Sequence, residues 1–314
     1  MKIFVTGGCG YKGSVLIPKL LKAGHDVTNL DSNWFGNYLE NNNALTQIKG
    51  DIRDLGNLSL KGFDAIIHLA NVANDPAVEL NPTMSWEINV LAGHQLIEKA
   101  IKENVKHFIF ASSGSVYGIK EEEKVTENLS LVPISTYNKT KMIAERVFIS
   151  YSNDIKFHSI RPATVCGLSP RMRLDVAVNL LTFQALTKGK ITVLGGKQVR
   201  PNIHIDDICE VYLHLISNHE NIDSGFYNAG FENISILDIA NLIQSKIKCS
   251  IEIKESNDPR SYRQDSSKLL ETGFIPKKSV SIAIDEIIES YNSGKLSDKK
   301  QWHTVKWMKE NNIK

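Results

Sequence analysis

Apolar and polar positions in the first half of the chain form two alternating kinds of segment. Short runs rich in β-branched residues predict strands, and the longer segments between them have apolar residues at helical spacing. The short runs lack strict alternation, as expected for parallel strands that are covered on both faces. The predicted strands are Lys2–Thr6, Asp26–Leu30, Leu45–Ile48, Ala65–Leu69, His107–Ala111 and Lys156–Ile160. The predicted helices are Ser14–Ala23, Thr83–Glu103, Thr136–Tyr151 and Val176–Lys188.

The pattern changes after about Arg161, where glycine, proline and arginine become frequent and the segments become shorter. Strands that alternate with helices predict an α/β fold of the Rossmann type, a doubly wound parallel sheet. We therefore expect this domain over residues 1–165 and a smaller substrate-binding lobe over residues 166–314, with segments that return to the sheet. The tail at Trp302–Met308 is expected to pack on the body or on a partner subunit rather than to form a site.

Composition and charge exclude several classes of protein. The 314 residues are 42% hydrophobic and 23% charged, with a formal net charge of +2. This near-balance argues against broad electrostatic binding to nucleic acid or to a membrane surface. The four cysteines are scattered and contain no C-x-x-C pair, so neither a disulfide framework nor a metal site is expected. The N-terminal apolar run is too short for a signal peptide, and we expect a cytoplasmic protein.

A glycine-rich segment, Thr6–Gly13, directly follows the first predicted strand and opens a predicted helix. Its glycines allow backbone amides at the helix N-terminus to approach a pyrophosphate. Asp31 ends the next strand, where a carboxylate accepts hydrogen bonds from an adenosine ribose and repels a 2′-phosphate; alternatively, it only caps the strand end. Asp51 either contacts an adenine ring or caps a short helix. The order of these features favours NAD over NADP.

The spacing Tyr-x-x-x-Lys occurs twice, at Tyr137 with Lys141 and at Tyr291 with Lys295. Residues four apart share one helix face, where an ammonium group would favour the phenolate. The second copy contains Asn, Ser and Gly, which indicate the end of a helix. The first copy follows a serine-rich turn containing Ser113, at the end of a predicted strand, where open α/β sheets bind ligands. Context therefore selects Tyr137 and Lys141.

These motifs resemble those of the extended short-chain dehydrogenases/reductases, in the NAD-dependent nucleotide-sugar epimerase/dehydratase family. The resemblance implies that Ser113 and Tyr137 hold the sugar hydroxyl group that is oxidised, and that Lys141 binds the nicotinamide ribose and lowers the pKa of Tyr137. The matching residues are Thr6–Gly13, His68-Leu69-Ala70, Asn89, Ser113, Tyr137, Lys141, Arg161-Pro162, Arg200 and His204–Asp207. The implied NAD-binding residues are Gly7, Gly10, Tyr11, Gly13, Asp31, Asp51, Ile52, Leu69, Ala70, Asn89, Tyr137 and Lys141.

One departure from the family narrows the reaction. Members that remove water across C5–C6 usually have an Asp-Glu pair just after the catalytic hydroxyl group, and this chain has Gly114 and Ser115 there. Without a carboxylic acid to protonate the leaving hydroxyl group, 4,6-dehydration is not expected. The remaining reaction of the family is oxidation at C4, after which the keto-sugar is either released or reduced again with changed stereochemistry.

Substrate recognition is expected to use arginines, because guanidinium groups match the oxygen atoms of a nucleoside diphosphate. For each single arginine, a solvated surface charge is an equally good interpretation. Ser113, Ser115 and Asn179 are further candidates for substrate contact. The candidate arginines are Arg171, Arg173, Arg200, Arg260 and Arg263.

Three less general segments are similar to a bacterial subgroup that acts on surface-polysaccharide sugars, including GDP-manno-heptose 4-dehydrogenases. They are Asn33–Asn37, Ser169–Asp175 and Asn257–Arg263. We therefore expect oxidation of a GDP-sugar at C4 by tightly bound NAD, with a 2-keto acid as an electron acceptor. The alternative is a nucleotide-sugar 4-epimerase, which needs no acceptor, and a less favoured one is a non-catalytic NAD-sensing protein. The long helices Thr83–Glu103 and Thr136–Tyr151 predict a homodimer.

Two residues near the second lobe's core are expected to be structural. Cys166 is interpreted as a small buried side chain rather than an acid or base. His204 is interpreted as a hydrogen-bonding partner of the helix that starts at Asp206 and Asp207.

Overall fold

The computed structural model describes residues 1–255 and 261–313. Its strands are β1 Lys2–Thr6, β2 Asp26–Asp31, β3 Leu45–Lys49, β4 Ala65–His68, β5 His107–Ala111, β6 Lys156–Pro162, β7 Thr164–Cys166, β8 Lys190–Leu194, β9 Val199–His204, β10 Gly225–Ala229, β11 Glu232–Ser235 and β12 Ser250–Lys254. The six strands predicted from the sequence all form, with ends that differ by no more than two residues.

The α-helices are α1 Gly13–Lys22, α2 Asp75–Val78, α3 Pro82–Trp86, α4 Ala92–Lys102, α5 Thr136–Ile149, α6 Ala177–Lys188, α7 Ile205–Asn218, α8 Ile236–Lys246, α9 Ser267–Leu270, α10 Val280–Asn292 and α11 Thr304–Glu310. A π-helical turn, Glu87–Leu91, joins α3 to α4, so the predicted helix Thr83–Glu103 is a helix with a π-turn inside it. Within residues 1–255 and 261–313, we find no helix with the length and apolar character needed to cross a membrane.

The large sheet of the described chain has seven strands in the order β10-β6-β5-β4-β1-β2-β3. Every neighbouring pair in it is parallel. The order 3-2-1 on one side of the first strand is that of a Rossmann fold, and its reversal beside β1 creates a ligand-binding crevice at the carboxyl ends of the strands. The predicted fold class is therefore confirmed.

Helices cover both faces of this sheet, and β1 shows why its sequence lacks alternation. Ile3 and Val5 pack into one buried cluster, whereas Phe4 packs into a second cluster on the other face. All three side chains are fully buried. Each face buries apolar surface on folding, so neither face selects polar residues.

The chain after residue 165 contributes to both lobes. β10 pairs with β6 in the large sheet, while β7, β9 and β11 form a small sheet of their own and β8 pairs with β12. Helix α7 packs against α1, where Lys19 forms ion pairs with Asp206 and Glu210. The large sheet thus contains segments from both sides of the predicted boundary, and the boundary itself stays a prediction.

Candidate active site

A cavity of about 800 Å³ lies at the carboxyl ends of the large sheet's strands. Its wall includes Asp31, the last residue of β2, the glycine loop between β1 and α1, and Ser113 after β5. It continues into the second lobe as far as Arg200 of β9. This is the crevice in which open α/β sheets bind ligands.

The glycine loop is closely packed on one side and open on the other. A Cβ atom at Gly7, which has φ +75°, would lie 2.6 Å from the amide nitrogen of Ala70. A Cβ atom at Gly13 would lie 2.5 Å from the Cα atom of Gly8. At Gly10 the nearest atom would be the carbonyl oxygen of Gly7, at 3.2 Å, and Gly10 lines the cavity. The open face at the start of α1 therefore fits a pyrophosphate group.

Asp31 lies in the cavity wall and also holds the loops around it. Its carboxylate accepts a 2.9 Å hydrogen bond from the amide of Cys9 and a 2.7 Å bond from the amide of Asn33. Burial raises the pKa of Asp31, and the two amides partly offset this effect. Each carboxylate oxygen keeps a second lone pair, so the capping role and the ribose-binding role predicted for Asp31 are compatible.

The other implied contacts of the adenosine end also lie in the wall, since Asp51, Ile52, Leu69 and Ala70 all line the cavity. Asp51 is engaged by Arg53, which donates to both carboxylate oxygens at 3.0 and 2.7 Å. Arg53 holds the pKa of Asp51 below its usual value. Asp51 therefore reaches the cavity as half of an ion pair.

Helix α5 brings Tyr137 and Lys141 to the part of the cavity that Ser113 also lines. The hydroxyl group of Ser135 caps the helix by accepting a 3.2 Å bond from the amide of Asn138. Lys141 lies one turn after Tyr137 on this helix, and its ammonium group donates a 2.8 Å bond to the carbonyl oxygen of Ala111, at the end of β5.

Two serines complete this part of the cavity. Tyr137 shares a hydrogen bond with the Ser113 hydroxyl group, which lies 2.7 Å from that of Ser115. The structure thus brings together all four predicted residues, Ser113, Ser115, Tyr137 and Lys141.

The electrostatics of Tyr137 depend mainly on its burial. In the protein, burial raises the pKa of Tyr137 to about 12, and the hydrogen bond from Ser113 offsets this only in part. Burial, together with Lys12, lowers the pKa of Lys141 well below its usual value. In the protein alone the pKa of Tyr137 is therefore raised, because desolvation dominates. The lowering expected from Lys141 together with the nicotinamide stays a prediction.

Lys12 was not singled out by sequence reasoning, yet it lines the cavity at the start of α1. Its ammonium group lies 5.9 Å from the centre of the Tyr212 ring, and burial lowers its pKa to about 8. A cation at a helix N-terminus opposes the helix dipole unless an anion lies nearby. The lysine inside the glycine loop is therefore the sequence signal that could have indicated a further anion contact.

Two predicted contact residues lie behind the cavity wall, where they support it. Asn89 is buried and bonds to both the amide and the carbonyl oxygen of Val72, at 2.7 and 3.1 Å. Asn179 is buried and accepts a 3.0 Å bond from the amide of Gly167 while donating to the Tyr11 hydroxyl group at 3.0 Å. Their amide groups are used by the fold, so neither faces a ligand. Tyr11 itself lines the cavity, and its hydroxyl group donates to the carbonyl oxygen of Gly167.

The predicted arginines separate into different places. Arg171 and Arg173 line the cavity near the glycine loop, and Arg200 lines it in the second lobe. Arg263 is exposed, away from the wall formed by the described residues. Arg260 lies outside the residues that the structure describes. Among the described arginines of this set, Arg200 is the one that lines the cavity from β9.

A cluster of His204, Asp206 and Glu286 has atoms close enough to hold a metal ion, but its groups are engaged. Nδ1 of His204 accepts a 3.0 Å bond from the amide of Asp206, at the start of α7, and its Nε2 lies 3.0 Å from Glu286. Lys278 and Lys19 pair with the two carboxylates. The structural role predicted for His204 is confirmed. Cys166 is fully buried, as predicted.

The tail was expected to form no site, and this expectation is wrong. Thr304, Val305 and Met308 of α11 line the cavity. The tail does pack on the body, because the indole nitrogen of Trp307 donates a 2.6 Å hydrogen bond to the carbonyl oxygen of Trp34. Short apolar and polar segments of this kind carry no periodic signal that would reveal which surface they cover.

Comparisons with known proteins agree with this geometry. Residues 3–230 match the model of the NAD dependent epimerase/dehydratase family. An uncharacterized UDP-glucose epimerase of Bacillus subtilis is 32% identical over 291 residues, which cover 85% of this chain and 90% of that protein. A UDP-glucose 4-epimerase of Lactobacillus helveticus is 27% identical over 298 residues, covering 85% and 89%.

A solved structure shows the same relationship. The UDP-glucuronic acid 4-epimerase from Bacillus cereus, in complex with UDP-glucuronic acid and NAD, has a TM-score of 0.81 and 28% identity. The match covers 93% of this chain and 100% of that chain. With its Rossmann sheet, open glycine loop and Ser-Tyr-Lys cluster, the chain belongs to the NAD-dependent epimerase/dehydratase family of nucleotide-sugar enzymes.

Proposed function

We propose that this enzyme is a 4-epimerase of a UDP-linked sugar. The observation that carries the proposal is the meeting of Ser113, Tyr137 and Lys141 in one cavity with the glycine loop. The relatives described above are named as UDP-glucose and UDP-glucuronic acid 4-epimerases. These names favour the epimerase alternative over oxidation of GDP-manno-heptose, which the sequence analysis preferred.

The proposed chemistry begins with transfer of the C4 hydroxyl proton to Tyr137, while Ser113 donates a hydrogen bond to the same oxygen atom. NAD supplies a hydride acceptor, and the positive charge of its nicotinamide ring favours the phenolate. Lys141, fixed by Ala111, would bind the nicotinamide ribose. Tyr137 would hold the C4 proton and then give it back to the oxygen atom. Because NAD would return the hydride that it accepts, to the opposite face of C4, the product would be the C4 epimer, with no net oxidation.

The structure supports the expected lack of dehydration. A Cβ atom at Gly114 would meet the side-chain oxygen of Gln264, the carbonyl oxygen of Pro162 and the hydroxyl group of Tyr262, each at 3.2 Å. A carboxylate side chain in that position would be crowded, and these neighbours would have to shift to accommodate it. The hydroxyl group of Ser115 is bonded to Ser113. The acid needed to protonate a C6 leaving group is thus missing after Ser113.

The nucleotide would occupy the part of the cavity that the second lobe forms. Arg200 lies there, in β9, and we assign to it the diphosphate of the substrate. Gln198 is held by bonds to Gly196 and Leu194, at 2.6 Å each. The wall at this end is completed by Thr192, Leu194, Gln198 and Ile236. Asp31, at the other end, supports the assignment of NAD rather than NADP.

The test incubates the purified enzyme with UDP-glucose, UDP-glucuronic acid and a GDP-manno-heptose, each with and without 2-oxoglutarate, and follows the sugars by NMR. We expect a C4 epimer of a UDP-sugar in the reactions without the 2-keto acid. A 4-keto sugar that accumulates only with the 2-keto acid would instead show a dehydrogenase. Turnover of the GDP-sugar without turnover of either UDP-sugar would contradict the substrate that we propose.

A homodimer is a separate proposal. Helix α5 packs against α4, and the outer surface of the pair exposes apolar side chains. Leu91 is 55% exposed and Ile143 is 37% exposed. A second copy of this face would bury both. Light scattering coupled to size exclusion would give twice the monomer mass of 35.1 kDa if this is correct.

A further inference from the structure

Arg171 is a buried cation without a hydrogen-bonded carboxylate. Its side chain is 3% exposed and donates to two neutral oxygens, the carbonyl of Met172 at 3.3 Å and the hydroxyl group of Thr304 at 3.2 Å. Its Nε atom has no hydrogen-bond partner among the described residues. Asp31 and Asp175 act on this charge only through space, without a hydrogen bond to the guanidinium group. Burying a charge that is only partly compensated is unfavourable, so this arrangement indicates a position that can accept an anion.

The position of Arg171 identifies which ligand would supply the anion. Its guanidinium carbon lies 4.1 Å from the centre of the Phe35 ring, and its charge lowers the pKa of the neighbouring Asp31. Asp31 ends β2 and bonds to Cys9 of the glycine loop, and Phe35 lies in the segment after β2; both line the cavity. Arg171 therefore lies in the dinucleotide half of the cavity, rather than with Arg200 in the substrate half.

Arg173, two residues later, differs in one respect. Its guanidinium group donates to both carboxylate oxygens of Asp175, at 2.9 and 2.7 Å. Its charge is thus already matched within the protein, in a bidentate pair. Of these two arginines, Arg171 is the one without a hydrogen-bonded carboxylate.

Helix α11 holds Arg171 and covers the same half of the cavity. Thr304, its first residue, accepts the bond from Arg171 and lines the cavity. Met308 packs in the cluster that contains Leu30 and Ile52. Trp307 bonds to Trp34 at 2.6 Å, which fastens the helix to the loop after β2. A dinucleotide in this half would be enclosed between the glycine loop and α11.

We propose that Arg171 binds the pyrophosphate of NAD, that Thr304 positions it, and that α11 is a strap that must open before the dinucleotide leaves. Within this assignment, the second lobe contributes directly to cofactor binding. The inference rests on the NAD dependence of the family, independently of the sugar and of the epimerase outcome. Failure of the proposed function would therefore leave it standing.

The test measures binding and exchange of NAD without any sugar. Isotope-labelled NAD is bound to the enzyme and chased with unlabelled NAD, and the label that stays with the protein is followed. Arg171→Gln is expected to raise the Kd for NAD about 10- to 100-fold, the range for loss of a charge-assisted hydrogen bond. Thr304→Val is expected to shift the Kd in the same direction by a smaller factor. Arg146→Gln, on the exposed face of α5, is the matched control and should change nothing.

Trp307→Phe tests the role of α11 as a strap separately from the contact of Arg171 with the pyrophosphate. The loss of its bond to Trp34 should speed both association and dissociation of NAD, while the Kd changes much less. The melting temperature of each variant without nucleotide reports any loss of folding. Thr304→Val retains the Arg171 side chain and removes only the hydroxyl group that positions it, so it still tests the assignment if Arg171→Gln is unstable.

Two results would overturn the assignment. One is unchanged exchange of NAD in both Arg171→Gln and Thr304→Val, which would make their contacts purely structural. The other is a weakening of adenosine binding equal to that of NAD in Arg171→Gln, because adenosine has no phosphate group. If Arg171→Gln weakened the binding of NADP but not that of NAD, the anion bound by Arg171 would be the 2′-phosphate instead of the pyrophosphate, which would also contradict the assignment.

Discussion

The Lys141 ammonium group donates a 2.8 Å hydrogen bond to the carbonyl oxygen of Ala111. Ala111 is the last residue of β5, two residues before Ser113, and Lys141 lies one turn after Tyr137 on α5. This bond therefore fixes the helix against the strand end, so that the hydroxyl groups of Tyr137 and Ser113 meet. The bond thus explains how the Tyr-x-x-x-Lys segment of α5 brings Tyr137 and Lys141 close to Ser113.

The first prediction concerns Tyr137→Phe. Without its hydroxyl group the enzyme has no acid–base group at C4, and we expect turnover to fall about 10²- to 10⁴-fold. Binding of NAD should change little, because Lys141 and the glycine loop stay in place. Tyr291→Phe is the matched control, since Tyr291 has the same spacing to a lysine but packs against Phe183. Turnover close to wild type in Tyr137→Phe would refute the catalytic assignment.

The second prediction compares glycines. Gly10→Ala places a methyl group in the open face of the glycine loop, and we expect binding of NAD to weaken by about 1–3 kcal/mol, as for other overpacked sites. Gly24→Ala is the control, because Gly24 has φ +82° and no atom within 4 Å of the added Cβ. It should lower the free energy of unfolding by about 1–2 kcal/mol, the strain of a left-handed residue, and leave NAD binding unchanged. Calorimetric titration with NAD measures both variants.

The third prediction concerns the buried ion pair behind the site. Arg161 donates to both carboxylate oxygens of Glu145, at 2.9 and 2.8 Å, and both side chains are almost fully buried. Glu145→Gln leaves the guanidinium charge of Arg161 uncompensated, and we expect the free energy of unfolding in urea to fall by about 3–5 kcal/mol. Asp285→Asn, which breaks an exposed pair with Lys246, should cost about 1 kcal/mol or less. Equal effects in the two variants would contradict this account.

The fourth prediction concerns pH and a histidine cluster at the start of β5 and β6. Burial lowers the pKa of His158 to about 4, and its Nδ1 lies 2.7 Å from Nε2 of His107. The pKa of His107 is lowered in the same direction. The nearby charges of Lys156 and His219 lower the pKa of His158 further, whereas the carbonyl group of Ile222 opposes this.

Because the pKa of His158 is lower in the folded state than its ordinary value near 6.5, the unfolded chain binds more protons between these values. Stability is therefore present above pH 6.5 and is lost as pH falls toward 4. Between pH 7 and pH 5, His158 alone should account for about 2 kcal/mol of the free energy of unfolding. His158→Gln should flatten this dependence. An unchanged slope in chemical unfolding at the two pH values would refute the role of His158.

Much of the fold followed from local patterns. The runs at Lys2–Thr6 and His107–Ala111 became β1 and β5 without change. Both are continuous apolar runs buried on both faces, and this burial is what made them recognisable. The glycine loop and the Tyr-x-x-x-Lys motif were also found because their chemistry depends on residues close in sequence.

Features that depend on distant residues were missed or misplaced. Asn179 looked like a ligand contact, but its partners Tyr11 and Gly167 are 168 and 12 residues away. The predicted contact of Arg171 with the substrate stays a prediction, but its observed neighbours Phe35 and Thr304 lie 136 and 133 residues away and could not be read from the sequence. The raised pKa of Tyr137 likewise depends on how deeply the folded chain buries it.

The sequence by itself determined the strands, the glycine loop, the choice of Tyr137 over Tyr291 and the lack of a dehydrating acid after Ser113. Short-range geometry dictates all of these, since a strand, a turn or a helix face involves only neighbouring residues. Only the tertiary structure decided which residues of α11 line the cavity, which arginine has no hydrogen-bonded carboxylate and how the pKa of Tyr137 shifts. Burial and charge pairing come from residues far apart in the chain, and a one-dimensional pattern contains no distances between them.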